Sequence, residues 1–320
     1  MRVLVAGATG AIGQQLVPAL VAVGHQVTGT TRSPAKVDRL QSAGAQPVVV
    51  DGLDALAVGE AVARVEPEVI IHEMTAIPGL LSLRHLDRAF AVTNALRTRG
   101  TDHLLAAATA AGVPRVIVQS FAGWPSAREG SPVKTEEDPL DPDPPREQRE
   151  TLAAISYLEQ AVTGAPLEGI VLRYGLLYGP GASEEFVALI RRRRIPVIGE
   201  GSGIWSFLHV ADAAAATVAA VHRGSPGLYN VTDDEPAAVA EWLPAVARSV
   251  GGKPPRRIPV WLGRLAVGEA GVSMMTQVRG SSNAKAKREL NWQPAWASWR
   301  DGFARGLTGD RPAARLAGPS

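Results

Sequence analysis

Met1-Arg-Val-Leu-Val-Ala-Gly7-Ala-Thr-Gly10-Ala-Ile-Gly13 opens the chain, and its reading decides the fold. An apolar strand, Val3-Leu4-Val5, runs directly into a glycine triad and then into a helix with apolar residues at Leu16, Leu20 and Val23. Strand, glycine turn and helix in this order build a phosphate cradle. The first glycine makes the tight turn, the second lets backbone approach a pyrophosphate, and the third lets helix and strand pack closely. The helix N-terminus adds free N–H groups and the positive end of its dipole. A dinucleotide is the expected ligand, held by Gly7, Thr9, Gly10, Ala11, Ile12 and Gly13.

The next strand, Gln26–Thr31, bears on which dinucleotide. An acid near its end would accept hydrogen bonds from a ribose 2′-hydroxyl. This chain places Arg32 there, followed by Ser33 and Lys36. A guanidinium fork matches a 2′-phosphate, so NADP(H) is the expected cofactor. The alternative is that Arg32 and Lys36 are solvated loop residues and NAD serves equally.

Apolar runs continue to alternate with helical patterns. Strands are expected at Val3–Gly7, Gln26–Thr31, Gln46–Val50, Val69–His72, Arg115–Ser120 and Gly169–Arg173. Helices are expected near 11–23, 34–43, 54–64, 84–111 and 147–163. This alternation predicts an α/β fold, a doubly wound parallel Rossmann sheet with a smaller, mixed C-terminal substrate-binding lobe. The dinucleotide domain takes residues 1–173 and is rejoined by about 204–232. The substrate lobe takes 174–203 and 233–307, and 308–320 read as a flexible tail. A proline-rich stretch, 125–145, is expected to border the strand ends where ligands bind. A strand at Trp205–Val210 leads to Asp212, read as the N-cap of helix 213–223.

Composition narrows the function. The 320 residues carry a formal net charge of +2 and 20% charged residues, which argues against a nucleic-acid partner. Arg191–Arg194 is the one basic run and reads as a solvated helix end. There is no cysteine, hence no disulfide and no thiolate-ligated metal, and no metal site is expected. The first strand leaves no room for a signal peptide, no apolar run is long enough to span a membrane, and a cytoplasmic protein without a membrane partner is expected. A small-molecule substrate and a second copy of the chain are the candidate partners.

Taken together, Gly7-x-x-Gly10-x-x-Gly13, Val49-Val-Asp51, Val69-Ile-Ile-His72, Asn94, Gly100-Thr101, the strand up to Ser120, Leu172-Arg173, Leu177-Tyr-Gly-Pro-Gly181, Gly199-x-Gly201, Phe207-x-His209-Val-x-Asp212 and Tyr229-Asn230 resemble the extended short-chain dehydrogenase/reductase superfamily, in its epimerase/dehydratase-like branch. The resemblance spans nearly the whole chain. It implies that Asp51 and Gly52 meet the adenine, that the loop with Met74 and Thr75 lines the nicotinamide ribose, and that Ser120 and the segment with Tyr174 and Leu176 approach the nicotinamide.

The resemblance fails at the chemistry. Family members pair a Tyr with a Lys four residues on, which lowers the phenol pKa for proton exchange. Here Thr151 stands at the Tyr position, Ile155 at the Lys position, and Phe121 at that of the partnering Ser. No lysine occurs between Lys134 and Lys253, so an alignment slip cannot restore the pair. Two positions that hold a sugar diphosphate in relatives are Leu176 and Trp205. An apolar or aromatic substrate bounded by Phe121, Thr151, Leu176 and Trp205 is therefore expected.

Glu73 and Ser120 are the candidate catalytic groups. Glu73 stands where relatives carry a small apolar residue, and reads either as general base or substrate anchor or as a side chain turned to solvent or backbone. Ser120 could supply the displaced hydroxyl or merely cap its strand. Glu147 reads as a solvated first-turn acid, Tyr157 as facing away from the cleft, and His72 and His209 as buried scaffold. The leading reading is an NADP(H)-dependent oxidoreductase without a Tyr–Lys mechanism. The alternatives are a non-redox isomerase or lyase with retained nucleotide, and an NADP(H)-sensing regulator without catalysis.

Overall fold

A computed structural model describes residues 1–77 and 83–308. Seven parallel strands form the central sheet: β1 (Arg2–Ala6), β2 (Gln26–Thr31), β3 (Gln46–Val49), β4 (Val69–His72), β5 (Arg115–Phe121), β6 (Glu168–Tyr174) and β7 (Gly227–Val231). Their order across the sheet is β7-β6-β5-β4-β1-β2-β3. The chain runs outward from β1 to β3, then crosses back to β4 on the other side of β1. That reversal opens a crevice above the carboxyl ends of β1 and β4, where the glycine turn lies.

The strands read as continuous apolar runs because both faces of the sheet are covered. Val3, Val5, Ile71, Ile117 and Leu172 pack beneath α1 (Gly13–Ala22) with Ala213 and Ala216 of a later helix. Leu4, Ala6, Ile70, Val116 and Val171 face the opposite layer. That layer holds α3 (Ala55–Val65), α5 (Thr101–Ala110) and α6 (Arg149–Thr163). Of the other helices, α2 (Val37–Ser42) follows β2, α4 (Leu86–Ala95) lies along α6, α7 (Glu184–Arg191) belongs to the lobe, and α8 (Val210–His222) covers the sheet beside α1. The lobe has its own aromatic core, with Tyr178, Phe207, Trp242, Trp299 and Phe303 buried together.

Several elements differ from expectation. The helix read over 84–111 is α4, a π turn at Leu96–Gly100 and then α5. The run Trp205–Val210 is divided. Ile204–Trp205 pairs antiparallel with Ala237–Ala238, whereas Phe207–His209 pairs parallel with Leu176–Tyr178. Asp212 is not the cap of α8. His209 holds that place, its Nδ1 accepting from the Ala211 N–H at 3.1 Å. The Asp212 carboxylate instead accepts from the Ala295 and Trp296 N–H groups at 2.8 and 2.9 Å, binding the C-terminal segment to the sheet domain. The stretch 125–145 keeps its expected place by the strand ends, where Glu136 accepts from the Asn230 N–H of β7 at 2.7 Å, and in addition pairs Val133–Lys134 with Gly280–Ser281. Of the tail expected over 308–320, residues 309–320 lie outside the described residues.

Candidate functional site

The glycine triad sorts into three spatial roles. Gly7 has φ +88°, and a Cβ there would lie 2.7 Å from the Glu73 carbonyl carbon. Gly13 is as restricted, since a Cβ would meet the Ala8 carbonyl oxygen at 2.4 Å. Gly10 is exposed, and a Cβ there would come no nearer than 3.4 Å to its closest neighbour, the Gly7 carbonyl oxygen. The outer glycines close backbone on backbone, and the middle one leaves room for a ligand. This cradle fits a dinucleotide pyrophosphate.

Thr9, expected at the cofactor, and Thr30 and Thr31, which the sequence reading gave no role, hold the turn in place. The Ala8 N–H donates to the Thr30 carbonyl at 3.2 Å, and Thr9 Oγ1 lies 3.2 Å from Thr31 Oγ1. Ile12 is buried in the core and Ala11 is half-buried, so both offer a ligand mainly backbone. Beyond Thr31, Arg32 and Lys36 are exposed. Asp51 is also exposed, its Oδ1 accepting from the Leu53 N–H at 3.0 Å. Gly52 is needed for packing, because a Cβ would meet the Met74 sulfur at 2.4 Å. The Met74 side chain is thereby buried beneath the loop, while Thr75 is exposed.

Glu73 is 5% exposed, so neither the solvent-facing nor the backbone-partnered alternative describes its side chain. Its Oε1 lies 3.0 Å from Tyr174 Oη, which in turn lies 2.5 Å from Thr217 Oγ1 on α8. Oε2 is buried without a partner. Burial pushes the carboxyl up to about 8, against a smaller opposing effect of the Tyr174 hydroxyl. The Tyr174 phenol is driven well above its ordinary value, first by burial and then by Glu73. Tyr174 therefore presents no free side chain to a cofactor.

Ser120 is engaged elsewhere. Its hydroxyl donates to Glu159 Oε1 at 2.7 Å, and Arg173 grips both oxygens of the same carboxylate at 2.8 and 2.6 Å. All three side chains are buried under α6. The hydroxyl expected to stand in for the displaced Ser is thus part of an internal ion-pair cluster. An acid on the buried stripe of α6 was the available signal for it.

Thr151, Ile155 and Glu159 follow one another at four-residue spacing on that stripe. Thr151 is fully buried. Its hydroxyl donates to Asp87 Oδ1 at 2.6 Å and accepts from Asn94 Nδ2 at 3.2 Å, so it joins α6 to α4 rather than lining a cleft. Ile155 is fully buried as well. Arg97, on the π turn, is 5% exposed, and burial lowers its guanidinium to about 10 against the opposing charge of Glu159. Tyr157 is exposed and donates to Asp102 at 2.7 Å, outside the packed face of α6. Glu147, read as solvated, is only half exposed, and its Oε2 is buried without a partner.

The expected apolar wall divides. Leu176 and Trp205 share the aromatic cluster of the lobe. Trp205 lies 4.9 Å from Trp242 between ring centroids, and its indole N–H donates to the Met274 carbonyl at 2.7 Å. Phe121 ends β5 in register with Tyr174 and packs on Trp124 at 6.1 Å. His72 and His209 are buried neutral rings. Nδ1 of His72 accepts from the Met74 N–H, Nε2 faces the Leu96 carbonyl, and burial lowers the ring to about 4. No cluster of three or more His, Cys, Asp or Glu able to hold a metal occurs among the described residues, and no described helix is long and apolar enough to cross a membrane.

Comparison with known proteins places this geometry. The profile of the NAD dependent epimerase/dehydratase family matches residues 3–232. A Streptomyces protein named 3-diazoavenalumate denitrifying reductase is 44% identical over 310 residues, covering 95% of this chain and 100% of that protein. The UDP-glucose 4-epimerase of Thermus thermophilus, solved in complex with NAD, superposes with a TM-score of 0.71 at 25% identity, covering 96% of this chain and 97% of that one. A human epimerase family protein solved with NADPH has a TM-score of 0.73 over 96% and 99% of the two chains, and at 20% identity that likeness speaks for the fold. With its seven-stranded sheet, its glycine cradle and these matches, the chain belongs to the NAD dependent epimerase/dehydratase family, within the extended short-chain dehydrogenase/reductases.

Proposed function

We propose that the protein is an NADP(H)-dependent reductase that replaces a diazonium group on an apolar or aromatic carbon skeleton with hydrogen. The observation that carries this reading is the α6 stripe: Thr151 and Ile155 are fully buried where a Tyr–Lys proton relay would stand. Carbonyl reduction creates an alkoxide that must gain a proton, which is the task of that relay. Displacement of dinitrogen makes no such demand. Hydride forms the new C–H bond, the C–N bond breaks with its electron pair leaving on N2, and R–N2⁺ becomes R–H without proton exchange. The 44% identical Streptomyces relative, a denitrifying reductase by name, supports this choice of substrate class.

The turn Gly7–Gly13 would hold the pyrophosphate of the cofactor, Arg32 with Lys36 the 2′-phosphate, and Asp51 the adenine end. When bound, the reduced nicotinamide supplies a hydride. The chain's contribution is then to bind, to orient and to exclude water. Leu176 and Trp205 supply an apolar boundary on the lobe, and Phe121 one on the sheet. Such walls suit a reactive diazonium compound, which is lost to water if left solvated.

The test is turnover of aryl diazonium salts with NADPH deuterated at the transferable position. The expected result is release of dinitrogen and deuterium at the carbon that carried it. Deuterium at a carbinol carbon from a ketone, with diazonium salts untouched, would refute the reading. A ketone reductase in which Glu73 supplies the proton is the second reading, favoured by a buried carboxyl pushed up to about 8. Glu73→Gln separates the two, since it would abolish turnover only in the latter.

A further inference from the structure

The arginine run 191–194 does not stand alone once the chain is folded. It ends α7 and leads into Val197–Ile198, which pairs in parallel with Arg257–Ile258. The Val197 N–H donates to the Arg256 carbonyl at 2.8 Å, and the Arg191 Nε–H to the Val250 carbonyl at 2.8 Å. Two segments distant in sequence, 191–199 and 251–266, thus form one surface. They contribute four arginines from the first, and a lysine and three arginines from the second, without a single acid in either. Arg192, Arg193, Arg194, Lys253, Arg256 and Arg257 are all exposed. The acids that flank the two segments are Glu200, which is exposed, and Glu269, which Arg264 binds.

An apolar face rises from this basic surface. Residues from Val260 begin a helix, α10 after α9 (Val239–Ser249), that runs to Thr276 and kinks at Gly268, φ +76°. Before the kink, Trp261 and Leu265 are each 64% exposed and Leu262 is 38% exposed. Trp261 and Leu265 are four residues apart, hence on one flank of the helix. Large apolar side chains at this exposure, adjoining a run of exposed cations, call for a partner.

We propose that this face docks the protein on an anionic lipid bilayer, with Trp261, Leu262 and Leu265 entering the headgroup boundary and the arginines lying against lipid phosphates. An exposed Trp with Leu neighbours next to a basic run is the arrangement of an interfacial helix. A second copy of the chain is disfavoured by charge, because a two-fold contact would set this predominantly basic surface, with only Glu200 at its edge, against itself. Nucleic acid would match the arginines but leave Leu262 and Leu265 without a partner. The proposal is independent of the reaction assigned above, and it revises the reading of Arg191–Arg194 as a merely solvated helix end.

The test is co-sedimentation of the full chain with vesicles of phosphatidylcholine alone and of phosphatidylcholine mixed with phosphatidylglycerol. The expected result is binding at least about tenfold stronger to the mixed vesicles, weakening as salt is raised. Trp261→Ser combined with Leu265→Ser, and separately Lys253→Ser combined with Arg256→Ser, should each lower it at least about tenfold. Circular dichroism and the melting temperature check that both variants fold, and the charge variant leaves the helix untouched. Absence of binding to the mixed vesicles, or equal binding to both kinds, overturns the proposal. So does binding indifferent to both variants, a dimer in equilibrium sedimentation that Trp261→Ser/Leu265→Ser dissolves, or binding of an oligonucleotide in preference to vesicles.

Discussion

The Tyr174 hydroxyl stands between Glu73 and Thr217, 3.0 Å from the carboxyl Oε1 and 2.5 Å from Thr217 Oγ1. Thr217 in turn donates to the Ala213 carbonyl at 2.8 Å. Tyr174 donates to Glu73 Oε1, and Thr217, which donates to Ala213, stands within hydrogen-bond distance of the phenol oxygen. That phenol donation favours the ionised carboxylate, but burial outweighs it and pushes Glu73 up to about 8, so the carboxyl keeps its proton well past the ordinary 4.5.

Stability should follow from that proton. The folded-state value of Glu73, about 8, lies above its ordinary 4.5, so the folded protein binds more protons between the two. Its favourable contribution is complete below about 4.5 and is lost as pH rises through about 8. Glu73→Gln keeps a neutral side chain at every pH. The melting temperature of the variant relative to the native protein should therefore rise from pH 5 to pH 9, by the equivalent of roughly a few kcal/mol. Parallel melting curves across that range would show that Glu73 is ionised throughout.

The proposed preference for NADP(H) can be tested at Arg32. NADPH should bind at least about tenfold tighter than NADH, and Arg32→Ala should remove most of that difference while leaving NADH affinity nearly unchanged. Isothermal calorimetry with both dinucleotides measures it directly. Equal affinities in the native protein would mean that the exposed side chain serves no phosphate.

Ser120 should behave as a structural residue. Ser120→Ala leaves Arg173 on Glu159 and is expected to cost about 1–3 kcal/mol of stability, with the pH profile of turnover unchanged. Glu159→Ala strands a buried guanidinium and should cost about 3–5 kcal/mol. Denaturant titration of both variants gives the ranking. A turnover loss of about a hundredfold in a well-folded Ser120→Ala protein would return its hydroxyl to the reaction.

Thr151→Ala offers a separate check on the missing relay. It deprives Asp87 of a donor and Asn94 of an acceptor at the α4–α6 seam. A stability loss of about 1–3 kcal/mol without a change in the pH dependence of kcat is the expected outcome. A shifted pH profile would place Thr151 in a proton path.

Local patterns were enough for much of the fold and for the cradle. Strand–glycine–helix at residues 3–23 uniquely suits a turn whose outer glycines touch backbone, and the alternation of β-branched runs with helical patterns specifies a sheet covered on both faces. Those signals live in consecutive residues, so a sequence carries them in full. It also shows by count that no Tyr–Lys pair exists, since no lysine lies between Lys134 and Lys253. What packing partners do to a side chain is not written locally. Ser120 and Thr151 look like free hydroxyls until α6 brings Glu159 to one and α4 brings Asp87 to the other. Glu73 looks like an ordinary acid until Tyr174 and Thr217, 101 and 144 residues away, enclose it. Arg191–Arg194 looks like a solvated run until the pairing of Val197–Ile198 with Arg257–Ile258 sets it beside Trp261. Charge, burial and hydrogen-bond partners are properties of neighbours in space, and only the folded chain supplies those neighbours.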